Sequence, residues 1–263
     1  MSTDLATAGT STVPAVAPAV VLKEVSKAYG RGPTAVLALD RLSLTVEPGE
    51  FVCLVGASGC GKSTLLNIVS GLDSASAGSI DTGGAEPALM FQEPALMPWR
   101  SVVANVELPL KLRGVGKAER KARARELLGV VHLTDFADRQ PHELSGGMRQ
   151  RVALARTLAM DSPVLLMDEP FGALDAMTRD VLHDELERIW RERQLTVIFV
   201  THNVREAARL GDRIVVLSSR PGRPVAEFRV DRPRPRRIDS PEVSQLAAEV
   251  TDRLKEEVRR HGH

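Results

Sequence analysis

The sequence predicts an α/β fold: a mainly parallel core sheet, an antiparallel β subdomain beside it and an inserted α-helical subdomain. Three observations carry that expectation. The apolar run Phe51-Val52-Cys53-Leu54-Val55 leads straight into a glycine-rich stretch and then into the apolar residues 65–69, so strand, loop and helix succeed one another. Over residues 164–217, short apolar runs alternate with helical stretches, as expected of parallel strands joined by helical crossovers. Upstream, residues 42–46 alternate apolar and polar, which suits a strand with one solvated face.

Taken in order, residues 1–19 are Ala, Thr, Ser, Pro and Val with one acid, and are expected to form a disordered leader. No basic stretch precedes an unbroken apolar one, so a secretory signal is not expected. Nowhere do about 18 apolar residues run together, so no helix should span a membrane. Residues 20–29 open apolar and read as a strand, and residues 38–46 as a second. Glu47-Pro48-Gly49-Glu50 is the turn into the buried strand that follows. Residues 71–88 are rich in Gly, Ser, Ala and Asp and should be loop with one short strand, before the brief apolar run Ala88-Leu89-Met90-Phe91.

From residue 102 to 140 the pattern turns helical, and residues 93–144 are expected to form the helical subdomain. The charges of residues 117–131 suit a solvated face rather than a nucleic-acid patch. Residues 150–160, 178–193 and 204–210 read as helices; residues 164–167 and 195–200 read as buried strands, and 213–217 as the last core strand. The main domain should therefore span residues 20–231. Residues 232–263 complete the chain: Arg232-Pro233-Arg234-Pro235-Arg236-Arg237 as a solvated, extended connector, and residues 241–260 as a charged helix.

Composition narrows the function classes. The 263 residues are 43% hydrophobic, enough for a sizeable core, and the net charge of +1 gives no case for a nucleic-acid partner. Two cysteines, Cys53 and Cys60, have neither the spacing nor the context of a disulfide or metal site, and a reduced cytosol is the simple compartment.

The chemistry concentrates in three places. Gly56-Ala57-Ser58-Gly59-Cys60-Gly61-Lys62-Ser63-Thr64 fits the phosphate-loop template G-x-x-x-x-G-K-[ST] at every fixed position. Glycines let the backbone turn tightly and bring its N–H groups close to an anion, and the helix N-terminus adds partial positive charge. Lys62 brings a full charge to the outer phosphates, and Ser63 offers a hydroxyl to Mg²⁺. Charge-assisted hydrogen bonds contribute roughly 1.5–3 kcal/mol each, so several converging ones hold a triphosphate. Second, Asp168 and Glu169 follow directly on a buried strand. Beside a phosphate loop such a pair divides the work, Asp168 holding Mg²⁺ and Glu169 activating the attacking water. Third, in Leu144-Ser145-Gly146-Gly147-Met148-Arg149-Gln150, Ser145 suits a helix cap, and Gly146 and Gly147 expose backbone N–H groups. That second anion site means either two anions per chain or two copies sharing each nucleotide.

With these residues in place, the chain resembles the ATP-binding subunit of an ABC (ATP-binding cassette) transporter over residues 20–219. Such subunits carry an ordered series of motifs, which fall here on Tyr29 (adenine-stacking), residues 56–64, Gln92 (glutamine loop), residues 144–150 (signature), Asp168-Glu169, Ala173-Leu174-Asp175 (aspartate loop) and His202 (switch histidine). Met148 departs from the commonest signature, which has glutamine there. Tyr29 and His202 taken alone would read as structural residues; their place in the order gives them roles. The resemblance implies a P-loop NTPase core of the ABC ATPase type, with ATP and Mg²⁺ as cofactors. It implies a head-to-tail homodimer in which one subunit's phosphate loop meets the other's signature. Gln92 would contact Mg²⁺ and the water and transmit contact with transmembrane permease subunits, and His202 would contact the γ-phosphate.

About 80 residues separate phosphate loop and signature, too few for the coiled coils of the chromosome-maintenance relatives. Leu96-Met97-Pro98-Trp99-Arg100, then Asn105-Val106, resembles importers of nitrate, taurine and aliphatic sulfonates, as do Ser219-Arg220-Pro221-Gly222-Arg223 and the Arg-Pro connector. That resemblance implies a subunit at the cytoplasmic face of the membrane, served indirectly by a solute-binding protein. The alternatives are a lipid- or cell-division-associated cassette and a soluble regulatory ATPase. Trp99 is either a residue of a satellite core or part of the surface that receives a permease helix.

Overall fold

The computed structural model describes residues 17–172 and 174–261. Most of the expected leader, residues 1–16, and Ala173 of the expected aspartate loop lie outside the described residues. The elements in order are β1 (Val20–Tyr29), β2 (Val36–Val46), β3 (Phe51–Val55), α1 (Lys62–Val69), β4 (Ala77–Asp81), β5 (Ala88–Met90), α2 (Val102–Leu112) and α3 (Lys117–Val130). Then follow α4 (Gly146–Leu158), β6 (Val164–Asp168), α5 (Ala176–Arg193), β7 (Thr196–Val200), α6 (Val204–Leu210), β8 (Arg213–Leu217), β9 (Pro224–Arg229) and α7 (Pro241–His261).

Two sheets result. The larger has the order β5-β6-β7-β3-β8-β9, parallel except for β9; the smaller, β2-β1-β4, is antiparallel. Every residue of β3, β6 and β7 is buried, because helices or the second sheet cover both faces. The period of two then decides which core each residue joins. Phe51, Cys53 and Val55 of β3 face a core shared with the helices α2 to α6. Val52 and Leu54 face the other core, shared with α1 and the antiparallel sheet. The helix α1 is thus clamped between the two sheets, and the phosphate loop before it inherits that fixed position.

The terminal helix α7 buries Val243, Ala247 and Val250, one stripe at helical spacing, against the body of the protein. Among the described residues no helix is long and apolar enough to cross a membrane.

Two expectations are corrected. The core sheet does not end at β8, because β9 pairs antiparallel along its outer edge. Its first residue, Pro224, is one that tolerates the missing N–H, and its burial is only partial, so periodicity gave no strong signal. The Arg-Pro segment is also not a solvated connector throughout. Arg236 is only 6% exposed. Its guanidinium donates to the carbonyls of Arg209 (3.2 Å), Gly211 (2.5 Å), Val230 (3.0 Å) and Arg232 (2.9 Å). Arg234 donates to Leu210 O (2.5 Å) and Asp212 (2.7 Å), and lies over the Trp190 ring at 4.5 Å. The end of α6 leaves carbonyls without intrahelical donors, and the planar guanidinium forks satisfy them. Burial, with Arg234 adjacent, pushes Arg236 down to about 10.

Candidate functional site

The carboxyl ends of β3, β6, β7 and β8 coincide because the four strands are parallel neighbours. At that edge lies an open cleft of about 580 Å³. Its walls include Gly56, Ser58, Gly59, Gly61, Lys62, Ser63 and Thr64 of the phosphate loop, together with Gln92, Glu169 and His202, and Tyr29 at one side. Residues far apart in sequence thus meet in one place.

The loop has its shape for local reasons. Gly61 sits at φ +101°, and a Cβ there would come within 2.8 Å of the Ala38 carbonyl, so the loop meets β2 too closely for any side chain. Lys62 opens α1 and bends back, its Nζ donating to Gly56 O at 2.8 Å and Ala57 O at 3.0 Å. Ala57 and Cys60 belong to the loop but do not line the cleft. Cys60 is buried, with Sγ 3.8 Å from Lys62 Nζ.

Asp168 ends β6 and is 9% exposed; its carboxylate accepts a hydrogen bond from the Ser63 hydroxyl. Burial pushes its carboxyl above the usual range, against the Ser63 hydrogen bond and the more distant Lys62 charge, and with the Glu169 charge adding to the rise. Glu169 stands at φ +45°, a strained position for a side chain. That turn takes it off the strand alternation and into the cleft. Its Oε2 lies 2.9 Å from His202 Nδ1 and 3.4 Å from Gln92 Nε2. Gln92 is tied in turn to the signature helix, its carbonyl accepting from Gln150 Nε2 at 3.2 Å.

Tyr29 is 43% exposed, so it is not a core aromatic. Its hydroxyl donates to Asp73 at 3.0 Å, which leaves the ring beside the cleft. Ser145 caps α4, accepting from Met148 N at 3.2 Å, but Ser145, Gly146 and Gly147 do not line this cleft. Three residues that the sequence motifs do not single out as ligands do: Val36 and Ala38 of β2, and Arg220, whose Nε donates to Gly59 O at 3.3 Å. Arg220 follows β8, and only the pairing of β8 with β3 brings it to the loop. A lone arginine before a proline carries no signal of that.

The donor set fits a hard cation. Ser63, Asp168 and Gln92 offer oxygen, and the buried Asp168 carboxylate is met by the Ser63 hydroxyl, with the Lys62 charge further off.

Residues 39–172 match the ABC transporter family. A taurine import ATP-binding protein of Rhizobium johnstonii is 49% identical over 77% of this chain and 79% of that protein. An aliphatic sulfonates import ATP-binding protein of Mesorhizobium japonicum is 46% identical over 90% of this chain and 88% of its own length. A nitrate import ATP-binding protein of Synechocystis is 48% identical over 75% and 77%. Among solved structures, a dimeric ATP-binding cassette bound to ADP and phosphate superposes with a TM-score of 0.74 at 36% identity, covering 81% of this chain and 99% of that one.

Proposed function

The chain belongs to the ABC transporter family, as an ATP-binding and ATP-hydrolysing protein, and from that premise we propose that it energises import of nitrate, taurine, an aliphatic sulfonate or a related small solute. The observation that carries the catalytic part of this reading is the convergence of Glu169, His202 and Gln92 on the cleft formed by the phosphate loop.

In the proposed mechanism Lys62 exchanges its two loop carbonyls for the outer phosphate oxygens of ATP, and the loop N–H groups hold the rest. Glu169 takes the proton of the attacking water, and His202 both orients Glu169 and reaches the γ-phosphate. Ser63, Asp168 and Gln92 would hold Mg²⁺, which neutralises phosphate charge when bound. Tyr29 offers its ring to the base. Because Ser145, Gly146 and Gly147 lie outside the cleft, they are assigned to the nucleotide of a second copy, in a homodimer with two shared sites. Residues 20–231 are taken as the ATP-binding domain, with 93–144 as its helical subdomain, followed by the 232–263 extension.

Trp99 supports the permease partner. At 75% exposure it is not a satellite-core residue. The loop beneath it is held by the buried Asn105, which donates to the carbonyls of Met97, Arg100 and Ser101 and accepts from Met97 N. A rigid loop presenting a large aromatic suits docking of a transmembrane permease at the cytoplasmic face. The complex, with its solute-binding protein, is tested by reconstitution and ATP hydrolysis in the presence of nitrate, taurine and alkanesulfonates. Stimulation by one of them is expected; none by any of the three, in a complex that hydrolyses ATP, rejects the solute assignment.

A further inference from the structure

Beneath the cleft lies a buried polar cluster that the mechanism above does not use. His183, in the middle of α5, is 0% exposed. Its Nδ1 lies 3.1 Å from Arg209 Nη1, and a guanidinium only donates, so Nδ1 is the acceptor and the ring proton is on Nε2. That Nε2 faces Glu206 Oε1 at 3.5 Å, and Arg179 Nε faces the same oxygen at 3.5 Å. Burial pushes the Glu206 carboxyl up, but His183, Thr201 and Arg179 outweigh it and hold it below the usual range, so the acceptor is a carboxylate.

The ends of the cluster matter more than its middle. Through its other oxygen Glu206 accepts from Thr201 Oγ1 at 2.6 Å, and Thr201 Oγ1 accepts from Asn203 N at 2.9 Å. Thr201 and Asn203 flank His202. At the opposite end Arg179 Nη2 donates to Leu174 O at 2.7 Å, and the His183 ring meets Phe171 edge-on at 5.0 Å. Phe171 and Leu174 belong to the loop that begins at Glu169. Arg209 is held to α5 by Asp180 (3.0 Å) and Asp184 (2.5 Å). A buried ionic cluster is a weak source of stability, since apolar packing of the same volume does as well. What it supplies, and apolar packing does not, is direction: a polar link between two loops.

We propose that His183 is a positioning residue for ATP hydrolysis, donating its Nε2–H to Glu206 so that the loop carrying His202 stays in register with the loop carrying Glu169. This rests on the assignment of Glu169 and His202 given above. At 3.5 Å, His183 Nε2 and Arg179 Nε make polar contacts with Glu206 but no hydrogen bond of good geometry, and the proposal requires a small approach of Glu206 to complete them.

The test uses the full chain and Mg²⁺-ATP. His183→Phe keeps the ring against Phe171 and removes both nitrogens; His183→Gln keeps a donor for Glu206. His183→Phe is expected to lower kcat by about tenfold or more, the scale of a sub-ångström misplacement, with KM for ATP within about twofold. His183→Gln is expected to recover most of that loss. Thr201→Val, which cuts the same tie at its other end, should lower kcat alone, and the double variant should lose little more than either single one. An unchanged kcat in His183→Phe, an equal loss in His183→Gln, or additive losses overturn the proposal. Where His183→Phe does not fold, Thr201→Val decides: an unchanged kcat overturns it. Glu169→Gln is assayed alongside. Normal hydrolysis there removes the underlying site assignment, whereas a large loss there with kcat intact in the cluster variants removes only the positioning role.

Discussion

Lys62→Ala tests the phosphate loop most directly. In the structure the Lys62 side chain is nearly buried and its Nζ is already satisfied by two loop carbonyls at 2.8 and 3.0 Å. Binding ATP therefore exchanges bonds rather than creating them. Two bonds from an ammonium to neutral carbonyls, already charge-assisted, give way to two bonds in which both partners are charged. If each moves from the lower to the upper end of the roughly 1.5–3 kcal/mol range of such bonds, the difference over two bonds is about 3 kcal/mol. That corresponds to a loss of about 100-fold in affinity. The assay is calorimetric titration of ATP at fixed Mg²⁺, with thermal unfolding of the nucleotide-free variant as a control. A variant that melts as the parent does and binds ATP within about threefold of it refutes the exchange and the role of Lys62.

Other outcomes follow from the same geometry. The Asp168 carboxyl titrates above its unfolded value because it is buried, so its contribution to stability is complete below about pH 4 and is lost as pH rises through the folded value. Asp168→Asn should therefore raise the melting temperature of the nucleotide-free chain at pH 7, less so toward pH 4, while weakening Mg²⁺-dependent ATP binding; a lower melting temperature at pH 7 refutes the sign. Arg220→Ala should raise KM for ATP by about three- to tenfold and leave kcat unchanged, since the guanidinium lies on the cleft wall and is bonded to the phosphate loop at Gly59 O; steady-state kinetics decide, and an unchanged KM removes Arg220 from the ligand set. Trp99→Ala should leave folding and ATP binding of the free chain intact and lower solute-stimulated hydrolysis or assembly with the permease, by an amount typical of a central interface aromatic, about 2 kcal/mol or more. Unchanged assembly and uptake show that the loop is not the docking surface.

The chain's local chemistry was legible without coordinates. A strand, a glycine loop and a helix in immediate succession announce themselves because each is specified by residues within a few positions of one another, and β3 and α1 lie where periodicity places them. The same holds for α6 and β8. Long-range decisions left no such trace. The burial of Arg234 and Arg236 depends on which carbonyls the end of α6 leaves open, and β9 depends on an unpaired edge of β8. Arg220 reaches the phosphate loop only because β8 was chosen as the neighbour of β3. By itself the sequence marked the loop between Val55 and Lys62 as the expected anion site, since tight turns, exposed N–H groups and a fixed cation are properties of those residues. Only the tertiary structure decided what that loop faces: the order of parallel strands sets which carboxyl ends meet, and a positive φ at Glu169 turns one carboxylate out to His202 and Gln92 while Asp168 stays buried against Ser63.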